Sequence, residues 1–533
     1  MRIAYGPDDL RSGFERSTAE AISSFGDGRM LLEKYIEKGH HIEIQVLADS
    51  QGNVAMFPER ECSVQRRNQK VLEESPSCLI NPETRLAMQE QAAMLCKATG
   101  YRSAGTVEMI CANDLSFYFL EMNTRLQVEH PVTESITDVD LVEEMLNIAA
   151  GRPMSDSLVK QPHVPFHGHA IEARVYAEDP FRKFLPSIGP LVTYREPMTG
   201  PRPPSHAPRG RRGGDGVRSR GAVRVDSGIV EGSAVSMFYD PMISKLITLG
   251  ETREDALDLM GGALDEYVIK GVGHNVPFLR DVMRNRDFAE GNYSTSFIGE
   301  HYPEGFSGVV LGEEEELRLA AVAAVVQWVH QSMEASVGPS HNNRRYLFYS
   351  TVATIGGHGG RVVEIVPEIV EELGGGSSVV VTATPEGGVS TRITFDEMHW
   401  EFGSPLVDFT VDGKRQVGQY LGASGEGYDL AIAGSYQHVI VRSSLEQELS
   451  KHMLPPAVVD HSKTLRCPMP GQVVSIAVKE GDEVEEGQQL AVVEAMKMQN
   501  VLKAENAGRV TKLRCKPGDT LRVDAVMMEF QFD

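Results

Sequence analysis

Cysteine is scarce in this chain and follows no pattern. The 533 residues include six cysteines, and no two of them stand in a Cys-x-x-Cys pair. A zinc site or a disulfide framework needs closely spaced or numerous cysteines. The sequence therefore predicts neither kind of site, and it favours a reducing compartment.

Positive charge and long apolar runs are also in short supply. Lys and Arg number 52 against 75 Asp and Glu, which gives a net charge of −23. Proteins that bind nucleic-acid backbones need a basic surface. No apolar run reaches the roughly 18 residues of a membrane-spanning helix. We expect neither nucleic acid nor a membrane as a partner.

The length predicts several domains, at about 150 residues each. Residues 1–305 alternate strand-like runs such as Ile42 to Leu47 with helix-like stretches such as Glu83 to Ala98, so the patterning is α/β or α+β. Within them, residues 197–223 are rich in Pro, Gly and Arg and have almost no large apolar side chain. Such a segment buries too little surface to offset its ordering entropy, and we expect a disordered insert.

The middle of the chain, residues 310–453, carries no motif that indicates chemistry. An acidic start at Glu313 leads into an apolar helix, and short β segments with turns such as Asp412-Gly413 follow. This pattern predicts a helix and an antiparallel sheet or small barrel. Residues 454–463, which include Pro455-Pro456, read as a linker.

The last segment, residues 464–533, has two similar halves. Gly481-Asp482 in the first half is answered by Gly518-Asp519 in the second, which predicts a quasi-symmetric all-β sandwich. A hairpin joining the halves would present Lys497, in Glu-Ala-Met-Lys-Met, to solvent. An exposed lysine in a turn is by itself usually only a solvated charge.

The context of Lys497 gives it a specific meaning. Cys467-Pro-Met-Pro-Gly471, the paired Gly-Asp turns and the position of Lys497 midway along the segment resemble the biotin carboxyl carrier domain. The resemblance implies biotin covalently linked to Lys497 by a biotin protein ligase. Lipoyl carriers have the same fold, but methionines on both sides of the lysine resemble the biotinylated form.

A second motif places a polar residue at every other position of the run from Phe119 to His130. In an extended chain, alternate side chains share a face. Oxygen ligands from Glu121 and Asn123, together with Glu108, could hold Mg²⁺, and Arg125 offers a fork for a carboxylate-like anion. Spacing alone leaves an amphipathic edge strand with a salt-bridged face equally open. The residues predicted to project together are Glu121, Asn123, Arg125, Gln127 and Glu129.

Together with neighbouring motifs, this run resembles a known protein family. The stretches His41 to Val46, Glu61 to Lys70 and Glu121 to Pro131 resemble the ATP-grasp portion of biotin carboxylase, a likeness that covers residues 1–305 apart from the insert. It implies ATP contacts from Glu33, Lys34, Tyr35, Ile36, His41 and Asn68, and ligands to Mg²⁺ or Mn²⁺ from Glu108, Glu121 and Asn123. It implies a bicarbonate pocket of Lys70, Arg125, Gln127 and Val128, with Glu129, Arg125 and Arg224 as catalytic residues.

The resemblance also implies a mechanism. Glu129 acts as the general base on bicarbonate, which attacks the γ-phosphate of Mg-ATP to give carboxyphosphate. This breaks down to CO₂ and phosphate, and biotin is carboxylated while Arg125 and Arg224 offset negative charge.

Three further stretches narrow the family to alpha subunits of biotin-dependent acyl-CoA carboxylases. Asn68 before Lys70, the segment Tyr239 to Lys245, and Glu448 to Met453 most resemble alpha subunits that act on propionyl-CoA. Residues 310–453 would then dock a carboxyltransferase beta subunit, which transfers the carboxyl group to the acyl-CoA. An alpha subunit for methylcrotonyl-CoA and a catalytically silent biotin carrier or scaffold are the alternatives.

The start of the chain suggests truncation. The family has a nucleotide-fold domain and a glycine-rich phosphate-covering loop ahead of the position that residue 1 matches. We therefore expect a chain that accepts biotin but does not carboxylate it at a useful rate alone. The family implies the mitochondrial matrix for a eukaryotic source, with the transit peptide lost at the truncated start, and the cytoplasm otherwise.

Overall fold

The computed structural model describes most of the chain in eleven stretches. These are residues 2–201, 221–236, 239–335, 350–356, 360–373, 376–401, 403–411, 413–454, 463–469, 471–495 and 498–531. Among the helices of these stretches, none is long and apolar enough to cross a membrane.

The first region is built on a nine-stranded antiparallel sheet in the order β11-β12-β14-β6-β3-β2-β1-β4-β5, flanked by helices. Its elements are α1 (Pro7–Phe25), β1 (His40–Ala48), β2 (Val54–Arg66), β3 (Gln69–Ser75), α2 (Pro82–Thr99), β4 (Ser103–Cys111), β5 (Phe117–Asn123), α3 (His130–Thr137), α4 (Leu141–Ala149), α5 (Asp156–Lys160), β6 (His169–Tyr176), β7 (Glu178–Asp179), a 3-10 turn (Pro180–Arg182), β8 (Leu185–Pro186), β9 (Gly189–Pro190), β10 (Thr193–Arg195), β11 (Gly200–Pro201), β12 (Gly221–Ser227), β13 (Ala234–Val235), β14 (Met242–Gly250), α6 (Arg253–Glu266), β15 (Val268–Lys270), α7 (Val276–Arg284), α8 (Arg286–Glu290) and α9 (Phe297–His301).

Both faces of the central strands β6, β3, β2, β1 and β4 are largely buried, and the two faces differ in chemistry. On β1, Ile42 and Ile44 pack with Met88 of α2 in an apolar layer. Because side chains alternate along a strand, Glu43 points to the opposite face. That second face carries buried charged and amide groups, and the candidate site lies there.

The expected disordered insert is ordered at both ends. Gly200 pairs with Val223 and Pro201 with Ala222, which adds β11 to the edge of the sheet. The expectation was wrong for these ends because backbone pairing does not require large apolar side chains. Residues 202–220 lie outside the described residues.

The second region is a helix enclosed by a closed eight-stranded antiparallel barrel, as expected from the sequence. The helix is apolar on nearly all sides because the barrel surrounds it. Trp328 is fully buried and donates from Nε1 to Thr351 Oγ1 at 2.9 Å. The elements are α10 (Glu313–Ala335), β16 (Thr351–Ile355), β17 (Arg361–Leu373), β18 (Gly376–Pro385), β19 (Thr391–His399), β20 (Leu406–Val411), β21 (Lys414–Ser424), β22 (Gly427–Ile432), β23 (Ser435–Ser443) and, after it, α11 (Ser444–Ser450).

The barrel is joined firmly to the first region. Gln419 donates to the carbonyl oxygens of Asp265 and Tyr267, each at 2.9 Å. Arg415 pairs with Glu266 at 2.7 Å. One continuous apolar core also runs from the α6 and α7 helices into the barrel.

The third region is the expected all-β sandwich of two four-stranded sheets, β24-β31-β29-β26 and β28-β27-β25-β30. Gly481 and Gly518 have φ of 97° and 93°, a conformation that favours glycine. Each donates its N–H at 2.8 Å to the opposite half, to Val510 and Val473 respectively. The strands are β24 (Thr464–Arg466), β25 (Gly471–Ile476), β26 (Glu483–Val484), β27 (Gln489–Ala495), β28 (Met498–Lys503), β29 (Gly508–Leu513), β30 (Thr520–Leu521) and β31 (Val526–Gln531).

Candidate active site on the polar face of the sheet

The residues expected to bind a metal lie together on β4 and β5. Glu108 pairs with Glu121 in the register of these strands. Asn123 donates from Nδ2 to Glu108 at 2.8 Å and to Glu121 at 3.3 Å. Two carboxylates and a side-chain amide form a hard oxygen donor set, which fits Mg²⁺ or Mn²⁺.

Lys70 on β3 connects this group to Glu129. Its ammonium lies 2.6 Å from Glu129 and 3.3 Å from Glu108, and it also contacts Glu43. Burial disfavours the charged amine, but the carboxylates around it, Glu43 first, raise the pKa of Lys70. The lysine is therefore a fixed cation facing Glu129.

His41 extends the cluster at the start of β1. Its Nε2 lies 2.9 Å from Glu108 and 3.3 Å from Glu43. Burial alone would lower its pKa, but the close carboxylates of Glu108 and Glu43 raise the pKa of His41 to about 9. Burial would raise the pKa of Glu108, but the contact with His41 lowers the pKa of that carboxyl below its usual value.

The alternating pattern that the sequence suggested ends at Asn123. The prediction that Arg125, Gln127 and Glu129 continue on the same strand face is wrong, because β5 stops there and the chain turns into α3. Arg125 is exposed, and its Nη1 donates to the carbonyl of Leu126 at 3.2 Å. The turn nevertheless returns Gln127 and Glu129 to the cluster, both almost completely buried.

Gln127 is held from two sides. Its Nε2 donates to Glu108 at 2.7 Å, and its Oε1 accepts from Arg60 at 2.7 Å. Arg60 is fully buried and also bonds Glu43 at 3.0 Å, Gln45 at 2.9 Å, and the hydroxyls of Thr106 and Thr133, each at 3.1 Å.

The charged residues of the site that the sequence reasoning missed include Glu73 and Arg174. Arg174 on β6 donates from Nη2 to Glu129 at 2.9 Å and from Nε to Glu73 at 2.6 Å. Burial raises the pKa of Glu73 to about 7, against the attraction of Arg174. The only available signal was that Glu73 and Arg174 interrupt strand-like apolar runs with charge.

Arg224 lies on β12 at the side of this cluster. Asp226 holds it through two contacts, Nε to Oδ1 at 2.7 Å and Nη2 to Oδ2 at 3.0 Å, and Glu134 accepts from its Nη1 at 2.8 Å. Arg224 also lines a cavity of about 460 Å³, together with His130, Glu134, Ser135, Asp138, Val139, Asp140 and Val142. Because Glu134 is on α3, whose N-cap is Glu129, one helix links Arg224 to Glu129.

Most of the residues expected to contact the nucleotide are exposed and lie outside the cluster. Glu33, Lys34 and Tyr35 are exposed in the segment before β1, and Ile36 is half-buried. Asn68 is exposed at the turn between β2 and β3, with a φ of 64°. Of the six, His41 lies within the cluster.

Lys497 lies outside the described residues. The strands on either side of it are described, since β27 ends at Ala495, β28 begins at Met498, and these two residues pair. The chain from residue 495 to residue 498 therefore connects two adjacent antiparallel strands.

Four family models match the chain. They are the ATP-binding domain of the carbamoyl-phosphate synthase L chain over residues 1–157, the biotin carboxylase C-terminal domain over 172–300, the propionyl-coenzyme A carboxylase BT domain over 319–455, and the biotin-requiring enzyme model over 463–530.

Curated relatives match along the whole chain. The propionyl-CoA carboxylase alpha chain of Ruegeria pomeroyi is 46% identical, and the match covers 100% of this chain and 76% of the relative. The mitochondrial propionyl-CoA carboxylase alpha chain of Mus musculus is 44% identical, with coverage of 100% and 69%. The mitochondrial methylcrotonoyl-CoA carboxylase subunit alpha of Dictyostelium discoideum is 34% identical, with coverage of 96% and 70%.

Solved structures match the first region. The biotin carboxylase domain of the Hydrogenobacter thermophilus 2-oxoglutarate carboxylase, in complex with MgADP, ADP and bicarbonate, is 41% identical with a TM-score of 0.50. The match covers 56% of this chain and 61% of that one. A Campylobacter jejuni biotin carboxylase in complex with a β,γ-ATP ligand is 39% identical with a TM-score of 0.50, over 56% and 62% of the two chains.

Proposed function

The chain belongs to the family of propionyl-CoA carboxylase alpha chains, and on that premise we propose that it uses ATP and bicarbonate to carboxylate a biotin carried on Lys497. The observation that carries the proposal is the cluster in which Lys70 and Glu129 lie beside Glu108, Glu121 and Asn123.

Glu129 is the proposed general base. A base must be held within reach of the proton that it takes, and each oxygen of Glu129 is fixed by one cation, Lys70 at 2.6 Å and Arg174 at 2.9 Å. These contacts leave further lone pairs on both oxygens to accept a proton from bicarbonate. Lys70, Arg125, Gln127 and Val128 form the proposed bicarbonate pocket.

Glu108, Glu121 and Asn123 would hold Mg²⁺ or Mn²⁺. The bound ion supplies neutralising charge on the phosphate oxygens of ATP. Glu33 to Ile36, His41 and Asn68 are the proposed nucleotide contacts. Within the described residues, the fixed network around Glu108 would keep the metal ligands oriented.

Arg125 and Arg224 are the proposed cations for negative charge that develops on the ureido group of biotin. Asp226 and Glu134 orient Arg224 before any ligand binds, and preorganised charge of this kind costs no rearrangement during reaction. Biotin on Lys497 supplies a carboxyl carrier. The tether keeps it at about millimolar effective concentration near each site.

Residues 310–453, which contain the barrel and its helix, are the proposed dock for a carboxyltransferase beta subunit, which would carboxylate propionyl-CoA. The support is the match to the BT-domain model over residues 319–455. Methylcrotonyl-CoA is the alternative substrate. It is the weaker candidate, because the methylcrotonoyl-CoA carboxylase relative is 34% identical to this chain and a propionyl-CoA carboxylase relative is 46% identical. A biotin protein ligase is the proposed second partner.

The proposed compartment depends on the source. One relative is mitochondrial and another is from a bacterium. We propose the mitochondrial matrix for a eukaryotic source and the cytoplasm for a bacterial one.

The test is ATP hydrolysis that depends on bicarbonate and is stimulated by free biotin, measured in a form of the chain extended upstream by the family's glycine-rich phosphate-covering loop. The proposal predicts hydrolysis that needs both bicarbonate and Mg²⁺ and that is lost in Arg125→Ala. Hydrolysis that is independent of bicarbonate would refute it. Full biotinylation of Lys497 without any bicarbonate-dependent hydrolysis would favour the silent carrier instead.

A further inference from the structure

Lys245 occupies a position between two parts of the site. It lies on β14, at the end of the segment Tyr239 to Lys245, and 12% of its side chain is exposed. Its ammonium donates to the carbonyl oxygen of Val128 at 3.0 Å and lies 3.1 Å from Asp226 Oδ2. One cation therefore contacts both the loop that carries Glu129 and the carboxylate that holds Arg224.

The contact with Asp226 reaches Arg224 directly. Asp226 Oδ2 accepts from Arg224 Nη2 at 3.0 Å, so this oxygen lies between the guanidinium and the ammonium of Lys245. A bidentate carboxylate fixes the plane of a guanidinium. Displacing Asp226 would turn Arg224.

The contact with Val128 reaches Glu129. The carbonyl of Val128 belongs to the peptide unit whose nitrogen is that of Glu129. Fixing this carbonyl orients the backbone of the turn just where the chain enters α3. The side chain of Glu129 is then aimed by Lys70 and Arg174.

Packing does not account for a lysine at this position. Lys245 pairs in register with Arg174 on β6, so two cations lie side by side in a largely buried row. An apolar residue would suit a buried strand position without the cost of desolvating a charge. The cost is offset by Asp226 and by the carbonyl of Val128.

We propose that Lys245 is a positioning residue that holds Arg224 and the Glu129 turn in fixed register with each other. The inference rests on the proposed function, because it assigns the two linked groups to the biotin side and the bicarbonate side of one reaction. It predicts that the two groups become disordered together when the ammonium is removed.

Hydrogen exchange tests the link without turnover. In Lys245→Met, the amides of residues 124–130 and of residues 222–227 should both exchange about tenfold faster. Losing a hydrogen bond to a charged group raises the equilibrium constant for local opening by about that factor. Lys245→Arg should restore slow exchange in both segments. The matched control is Lys270→Met, because Lys270 also donates to one backbone carbonyl, that of Leu421 at 3.0 Å, but lies on β15.

Faster exchange in only one of the two segments, or equal acceleration by Lys270→Met, would overturn the link. Kinetics then separate positioning from stability alone. Lys245→Met should lower the biotin-stimulated part of bicarbonate-dependent ATP hydrolysis about 10²-fold, with the KM for ATP changed less than about twofold, because misplacement by about 1 Å has an effect of this size. Lys245→Arg should recover most of the rate.

The two levels of the proposal fail differently. If the extended form hydrolyses ATP with biotin stimulation and Lys245→Met keeps it, the positioning role is overturned and the proposed function stands. If the extended form with Lys245 intact shows no bicarbonate-dependent hydrolysis, the proposed function is overturned. The exchange experiment is independent of turnover, so faster exchange in both segments or in only one still supports or refutes the link.

Discussion

At the scale of single residues, the site pairs several of its carboxylates with fixed cations. Glu129 between Lys70 and Arg174 is the clearest case. Lys70 and Glu129 were predicted from the sequence as site residues, but Arg174 was not. It is 45 positions from Glu129 along the chain and contacts it only because β6 pairs with β3.

Glu129→Gln tests the proposed base. Glutamine keeps the size of the side chain but cannot take a proton, and its amide nitrogen cannot accept the hydrogen bond that Lys70 or Arg174 donates to one of the two carboxylate oxygens. We expect bicarbonate-dependent ATP hydrolysis to fall by about 10² to 10⁴. Glu144→Gln is the control, since Glu144 is also buried and accepts a hydrogen bond, from the backbone of Ser155 at 3.1 Å, outside the cluster. Similar losses in both variants would contradict the assignment.

Glu74 makes a pH-dependent contribution to stability away from the site. It is bound by His169 at 2.6 Å, by Arg253 at 2.7 Å and by the hydroxyl of Tyr293. Although burial acts the other way, these partners, His169 and Arg253 first, lower the pKa of Glu74 from 4.5 to about 2.

A lowered pKa means that the ionised carboxyl stabilises the folded state at pH above about 4.5 and that this stabilisation is lost as the pH falls toward 2. The difference amounts to about 3 kcal/mol. We expect Glu74→Gln to lower the free energy of unfolding at pH 7 and to lower it less at pH 4, measured by urea denaturation. A difference from the unaltered chain that stays constant between these pH values would contradict the prediction.

At the scale of elements, regular patterning was enough to predict most of the fold. The run Ile42 to Leu47 lies in β1, and Glu83 to Ala98 lies in α2. In α2 the hydrophobic period agrees with the cap, since the side chain of Asn81 accepts from the N–H of Thr84 at 2.8 Å. The end of β5 at Asn123 was not predictable, since polar alternation continues in the sequence while the backbone turns. The ordered ends of the insert were not predictable either, because β11 and β12 pair with each other across the insert and β12 pairs with β14.

The helix inside the barrel gives a prediction at this scale. Trp328 fills the interior of the barrel and is hydrogen-bonded to Thr351. We expect Trp328→Ala to destabilise the chain by about 3 to 5 kcal/mol, because it leaves a large cavity and removes the hydrogen bond from Trp328 to Thr351. Trp400→Phe, at the half-buried second tryptophan, is the control and should cost clearly less in chemical denaturation. Equal effects would contradict the enclosed helix.

At the scale of the whole molecule, the first region and the barrel share one apolar core, whereas the C-terminal sandwich has its own. Deleting residues 310–453 would expose part of the face of α6 and β15 that Gln419 and Arg415 cover. We expect the melting temperature of the first region to fall by several degrees, at about 2–4 °C for each kcal/mol of stability lost.

The same deletion should leave the sandwich folded and able to accept biotin, because its core is separate. Thermal unfolding followed by circular dichroism, with intact mass for the biotin, measures both outcomes. An unchanged melting temperature for the first region would contradict the shared core. Loss of biotin acceptance would contradict the independence of the sandwich.

The central claim is that this chain carries biotin on Lys497 for a carboxylation reaction. The most direct measurement is the intact mass of the chain after co-expression with a biotin protein ligase, with Lys503→Arg as the control for a neighbouring lysine on β28. The account predicts one added biotin in the unaltered chain and in Lys503→Arg, and none in Lys497→Arg. Biotin that persists in Lys497→Arg, or a lipoyl group at Lys497, would contradict it.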